Sequence, residues 1–328
     1  MINRTLTRRE FLNFTKLSAA FLLTSCSRNS NKLDLGIQNK FYPDSFKRIL
    51  PKSWNRKNIN FSNLELNNNY KNSELLIIND GWLNKIDFDQ FENITNNLEN
   101  KLDDRAVKIL SDISFEGKKK LFPIGIIPYA VVIKNNKDLK IGSDQAWDFL
   151  LSQSLKNKII LPESPRVLIS IAKRMNTENS LKKLLSQAFS FDDKNALNWL
   201  INSDINIAIM PYSLCYEAIK IDSRLSFIFP DYGVPLIWNF MLTRSELHCD
   251  KIVDWINSLD NEFVINRLRR EGFYLPFEFE LSKNDYEGEI LISKINTLPS
   301  KKCWQNSWSL PSLTEIEKKE LETFWLFS

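Results

Sequence analysis

The sequence predicts an α/β protein with two doubly wound, mostly parallel sheets. Three observations lead there. Short β-type runs alternate with amphipathic helical stretches along most of the chain, which is the pattern of parallel sheets with helices on their faces. The 328 residues exceed what one hydrophobic core usually holds, so a second core is needed. Helix start signals recur between the β-type runs, most clearly Ser164-Pro165, a Ser cap followed by Pro at the first helical position.

Composition narrows the classes. Hydrophobic residues make up 43% and charged residues 26%, with only 8 Gly and 12 Pro, which excludes collagen-like and Gly/Pro-rich disordered chains. No apolar run approaches the roughly 18–20 residues of a membrane span. One histidine, His248, excludes multi-His metal sites, and it reads as the start of a surface helix rather than as a ligand. No nucleophile–base set, G-x-S-x-G or H-E-x-x-H pattern is present, so no catalytic residue is expected. Of the net charge of +4, residues 1–25 carry +3, and the +1 left over gives no electrostatic case for nucleic acid.

The N-terminus reads as an address. Arg8-Arg9-Glu10-Phe11-Leu12 is followed by the apolar stretch Leu17–Leu23 and then Thr24-Ser25-Cys26, the order of a charged region, a short hydrophobic region and a small-residue boundary. The paired arginines resemble a twin-arginine signal, and Leu23-Thr24-Ser25-Cys26 resembles a lipobox in which Cys26 is acylated. Residues 26–32 then form a polar tether. Export to the periplasm and anchoring through Cys26 are the expectation. Cys215, Cys249 and Cys303 remain. Cys215 reads as a buried, inert thiol, and a Cys249–Cys303 bridge is possible in an oxidising compartment.

Strands are expected at Leu33–Gly36, Ile59–Leu64, Glu74–Ile78, Phe122–Ile127, Tyr129–Ile133, Lys158–Leu161, Ile205–Met210, Leu225–Phe229 and Leu236–Thr243. Helices are expected after Ser143, after Ser164, over Asp250–Leu259 and Asn261–Arg270, and over Thr314–Trp325. Trp304 and Trp308 are expected to pack the last helix onto the body.

The order of these landmarks resembles the spermidine/putrescine-binding family of ABC-importer substrate-binding proteins, with its type II periplasmic-binding fold. Ser73–Leu83 resembles the strand and loop that open the cleft from the first lobe, and Phe122–Lys134 the strand that crosses between lobes. Ser143–Leu150 is similar to the helix "S-W-x-D-L-W", Asn157–Leu168 to "G-K-x-x-L-x-D-D-x-R-E-V", and Phe229–Trp238 to "P-x-E-G-x-x-x-W" at the second crossing. Gly272-Phe273-Tyr274-Leu275-Pro276 is similar to "x-G-Y-x-x-P".

The resemblance implies two lobes joined by hinge strands: residues 33–133 plus 244–290, and 134–243 plus 291–328. It implies a monomeric, lipid-anchored protein that captures a small molecule between the lobes, presents it to an ABC permease and needs no cofactor or metal. A scaffold or assembly factor with a degenerate cleft is the alternative. Candidate ligand residues are Trp238 as an aromatic wall, and Asn79, Asp80 and Trp82 after a strand end, where open α/β sheets place ligands. Ser164 and Arg166 stand at a helix N-terminus, and Tyr129 and Tyr212 each offer a hydroxyl on an aromatic body.

The sequence departs from the family at its carboxylates. The positions expected to be acidic read Ser164, Val167 and Phe240, and Pro211 replaces a Trp. Asp80 and Glu163 stand nearby as other sources of negative charge. Weak or absent binding of spermidine and putrescine is therefore expected, with a neutral or zwitterionic ligand preferred.

Overall fold

The structure, a computed structural model, describes residues 32–38, 42–59, 70, 72–94, 100–113, 116–135, 141–193, 195–259, 261–277 and 299–310, with 316, 319 and 323. The address segment with Cys26, and the helix expected over 314–325 apart from those three positions, lie outside the described residues.

Strands β1 (Leu33–Ile37), β2 (Trp54–Asn58), β3 (Leu75–Asn79), β4 (Phe122–Lys134), β5 (Ile159–Leu161), β6 (Ala188–Phe191), β7 (Ile207–Pro211), β8 (Leu225–Ile228), β9 (Pro235–Thr243) and β10 (Trp308–Ser309) alternate with helices. The helices are α1 (Asp44–Ile49), α2 (Asp104–Asp112), α3 (Pro165–Ala172), α4 (Ser180–Gln187), α5 (Ala196–Asn202), α6 (Tyr212–Ile221), α7 (Cys249–Ser258), α8 (Glu262–Arg270) and α9 (Lys301–Asn306). The strands run β2-β1-β3-β9-β4-β7-β5-β6, with β8 on β4 and β10 on β9.

Strand β4 makes this two sheets. Its residues 122–128 pair antiparallel with β9, while 129–133 pair with β7 and 131–134 with β8. Twelve of its thirteen residues are buried, as a strand covered on both faces requires. The sequence suggests two strands broken at Pro128, but the strand is continuous, and Pro128 lies where the partner changes from β9 to β7. Pro211 ends β7 opposite Tyr129 and Pro235 opens β9, so three residues without a backbone donor stand where ladders stop.

The first sheet carries parallel β2-β1-β3 and then antiparallel β9, and the second carries parallel β6-β5-β7 and then antiparallel β4. Strand β9 pairs with β3 over residues 239–243 and with β4 over 236–241, so the chain has re-entered the first sheet by Pro235. The sequence reading carried the second lobe on to residue 243. Every residue of β9 is buried, so nothing in its pattern marks where the lobes change.

Other elements depart from expectation for local reasons. Strand β2, WNRKN, is exposed after its first residue and sits at a sheet edge, where charge discourages pairing with another chain. Its polar sequence hides it, and Ile59, placed in a strand by the sequence, follows β2 instead. The stretch after Ser143 forms a 3-10 helix over Trp147–Leu151, with Ala146 rather than Ser143 at the N-cap position and no side-chain capping bond. Helices α3, α7 and α8 lie where expected, and Asn261 caps α8 by accepting from the Val264 amide.

Cys215, Cys249 and Cys303 are buried and free, so the Cys249–Cys303 bridge is not formed. Burial pushes the Cys303 thiol up to about 11 and Cys215 higher still, so both remain protonated thiols.

Candidate functional site

The two sheets meet where β3, the start of β9, the middle of β4, β10 and the N-terminus of α3 converge. Strand β3 ends at Asn79, whose side chain accepts from the Gly81 amide at 3.0 Å and caps a 3-10 turn over Asp80–Lys85. This is the C-terminal end of a strand in the parallel part of the sheet, a usual ligand position in open α/β folds. Trp82, on the same turn, is half-buried and packs against the core.

Asp80 sits deeper, its side chain 6% exposed. The backbone amides at Trp238 and Gly81 lie close enough to favour its charged form. Its second oxygen accepts no well-formed hydrogen bond and lies 3.5 Å from Arg166 Nη2. Burial raises the Asp80 carboxyl to about 6, although Arg166 pulls the other way.

Arg166 approaches from the other sheet. Helix α3 begins at Pro165, and Ser164 precedes it without a side-chain capping bond. From the first turn Arg166 reaches across, donates to the Leu310 carbonyl at 2.6 Å and pairs with Asp80. A Cβ built on Gly81 would lie 3.4 Å from Arg166 Nη1, so the guanidinium rests against the Gly81 backbone.

Tyr129, where β4 changes partners, is buried, and its phenol is raised well above its ordinary value by burial and by the negative charges of Asp193 and Asp80. Asp193 is 8% exposed and accepts from the Glu163 amide at 3.0 Å. The sequence reading missed Asp193, which lies in a loop after β6, a strand whose mixed burial left no periodic signal.

The hinge side chains are mutually satisfied. Trp238 is fully buried, donates to Ser309 Oγ at 2.8 Å and stacks on Phe240. In this conformation the ring anchors β10 rather than walling an open cleft. Asn239, also missed from sequence, is fully buried; it accepts from the Tyr42 hydroxyl at 2.8 Å and donates to the Gly125 carbonyl at 3.3 Å.

Tyr212 lies apart from Asp80 and Arg166. It packs with Phe227 and Phe229 and lies against Gly272, just past α8. Beyond that contact a cavity of about 550 Å³ opens between α6 and α8, lined by Tyr216, Lys220, Phe263 and Arg270 among others. No group of three or more potential metal ligands occurs among the described residues.

Of the sequence candidates, the structure brings Asn79, Asp80, Tyr129, Arg166 and Trp238 together at the crossing, with Ser164 and Trp82 beside them. Tyr212 belongs to the neighbouring contact with Gly272, and Cys26 lies outside the described residues. Val167 and Phe240, two of the positions expected to be acidic, are fully buried in the core.

No family model matches the chain, and no curated protein matches it significantly. Solved structures do. The spermidine/putrescine ABC transporter substrate-binding protein PotD from Streptococcus pneumoniae is similar over 90% of this chain and 98% of its own, with a TM-score of 0.59 at 12% identity. A PotD-like lipoprotein of Treponema pallidum is similar over 90% and 98%, with a TM-score of 0.60 at 10% identity. A ferric binding protein from Campylobacter jejuni is similar over 88% and 97%, with a TM-score of 0.57 at 14% identity. The fold is that of the two-lobed periplasmic-binding proteins.

Proposed function

We propose that this chain is an exported, lipid-anchored solute-binding protein of an ABC importer, which closes two lobes on a small molecule and delivers it to a membrane permease. One observation carries the reading: strand β4 serves both sheets without a break, and polar side chains from both lobes converge where it crosses. Such a strand lets the lobes swing about a few backbone torsions while each sheet stays intact. The printed names of the similar structures, binding proteins for polyamines and for iron, support a solute-binding role.

The ligand residues are Asn79, Asp80, Trp82, Tyr129, Ser164, Arg166 and Trp238 at the crossing, with no catalytic group and no cofactor. The protein acts as a monomer held to the membrane through an acylated Cys26. A thermal-shift screen of the purified protein against polyamines, amino acids, metals and organic anions tests the role. A stabilising compound whose effect is lost in Asp80→Asn supports it, and a screen with no stabilising compound overturns it. Replacing Cys26 with Ser should release the protein from membranes or block its processing.

A second reading, a periplasmic scaffold or assembly factor, is favoured by one observation. The crossing is filled by the chain's own ion pair and by a fully buried Trp238.

A further inference from the structure

The charges at the crossing come from opposite lobes. Asp80 follows β3 of the first sheet, and Arg166 opens the helix after β5 of the second, so their contact bridges the cleft. Both side chains are largely withdrawn from water, at 6% and 14% exposed.

The helix does not explain Arg166. A cation in a first turn opposes the helix dipole. Its side chain reaches instead to the crossing, where it meets the Asp80 carboxylate, the Leu310 carbonyl and the backbone at Gly81. Buried Tyr129 feels the charges of Asp80, Arg166 and Asp193, so the guanidinium lies in a buried, acceptor-rich environment.

We propose that Arg166 fills, in cis, a cation subsite between the lobes, so that the native cleft closes without an alkyl cation and rejects those supplied from solution. The subsite would take an alkylammonium or alkylguanidinium group once Arg166 is removed. Tethering explains the rejection. A group on the same chain competes at an effective concentration of about millimolar or above, so a free cation must bind far more tightly than that to displace it. This inference rests on the interlobe cleft being the solute site.

The test is calorimetry with putrescine and with ethylguanidinium on the wild-type protein, Arg166→Ala, and Arg166→Gln, which keeps a donor for Leu310. Circular dichroism confirms that each is folded. The wild type should bind neither probe, while at least one variant should bind them at least about tenfold more tightly. Adding Asp80→Asn to that variant should abolish the gain. Putrescine binding to the wild type as tight as to the variants overturns the proposal while leaving the solute-binding role standing. Folded variants that bind neither probe also overturn it, and the role is then judged by the wild-type screen alone.

Discussion

Asp80 gives a pH dependence whose sign follows from its burial. Its carboxyl lies near 6 in the folded protein, against an ordinary value of 3.8, because the cost of burying the charge exceeds what Arg166 returns. A raised acid favours the folded state below the unfolded value, and that stabilisation is lost as pH rises through the folded one. The window is therefore about pH 4 to 6, and a shift of about two units corresponds to roughly 3 kcal/mol. In Asp80→Asn the titrating group is gone, and other carboxylates cancel in the difference from wild type. Urea unfolding of both proteins between pH 4 and pH 7, at constant ionic strength, reads that difference. Wild type should lose roughly 2–3 kcal/mol relative to the variant over the range, then run parallel to it above pH 7. A difference constant to within about 0.5 kcal/mol, or one sloping the other way, would refute the assignment of a buried, desolvated carboxylate.

Three other substitutions test the hinge. Gly233 has φ of +88°, and an added Cβ would fall 2.2 Å from the Asn306 carbonyl oxygen, so Gly233→Ala should cost about 3 kcal/mol or more in thermal unfolding. Asn239→Leu leaves the Tyr42 hydroxyl and the Gly125 carbonyl short of a partner in the interior, which should cost about 2–4 kcal/mol by denaturant titration. Gly125→Ala places a methyl inside the Phe273 ring position, 1.9 Å from its nearest carbon, and should lower stability by about 1–3 kcal/mol. A neutral result at Gly125 or Gly233 would contradict the close approach that excludes a side chain there.

The sequence made the architecture legible because alternation of apolar runs with capped helices is a local signal. It read β1, β3, β5, β7 and β9 to within about two residues, and Asn79, Asp80 and Arg166 as the ends of elements that face a cleft. Edge strands β2 and β6 escaped because edges carry polar residues or mixed patterns. The inward anchoring of Trp238 on β10 escapes for the opposite reason: a strand buried along its whole length has no polar positions to mark which face looks into the cleft. The pairing of Asp80 with Arg166 was not legible at all. One follows a strand end and the other opens a helix far along the chain, and only the crossing of two sheets brings them within 3.5 Å. Asp193 was missed because its loop follows a strand that was itself not read.

In the proposed closure the two lobes meet on a cation subsite and Arg166 supplies the cation. Small-angle X-ray scattering of the wild type and Arg166→Ala, each with and without putrescine, measures closure directly. Closure by Arg166 predicts a compact wild type that putrescine does not change, and a variant with a larger radius of gyration that putrescine returns to the wild-type value. Identical scattering from both proteins, or compaction of the wild type by putrescine, would contradict it.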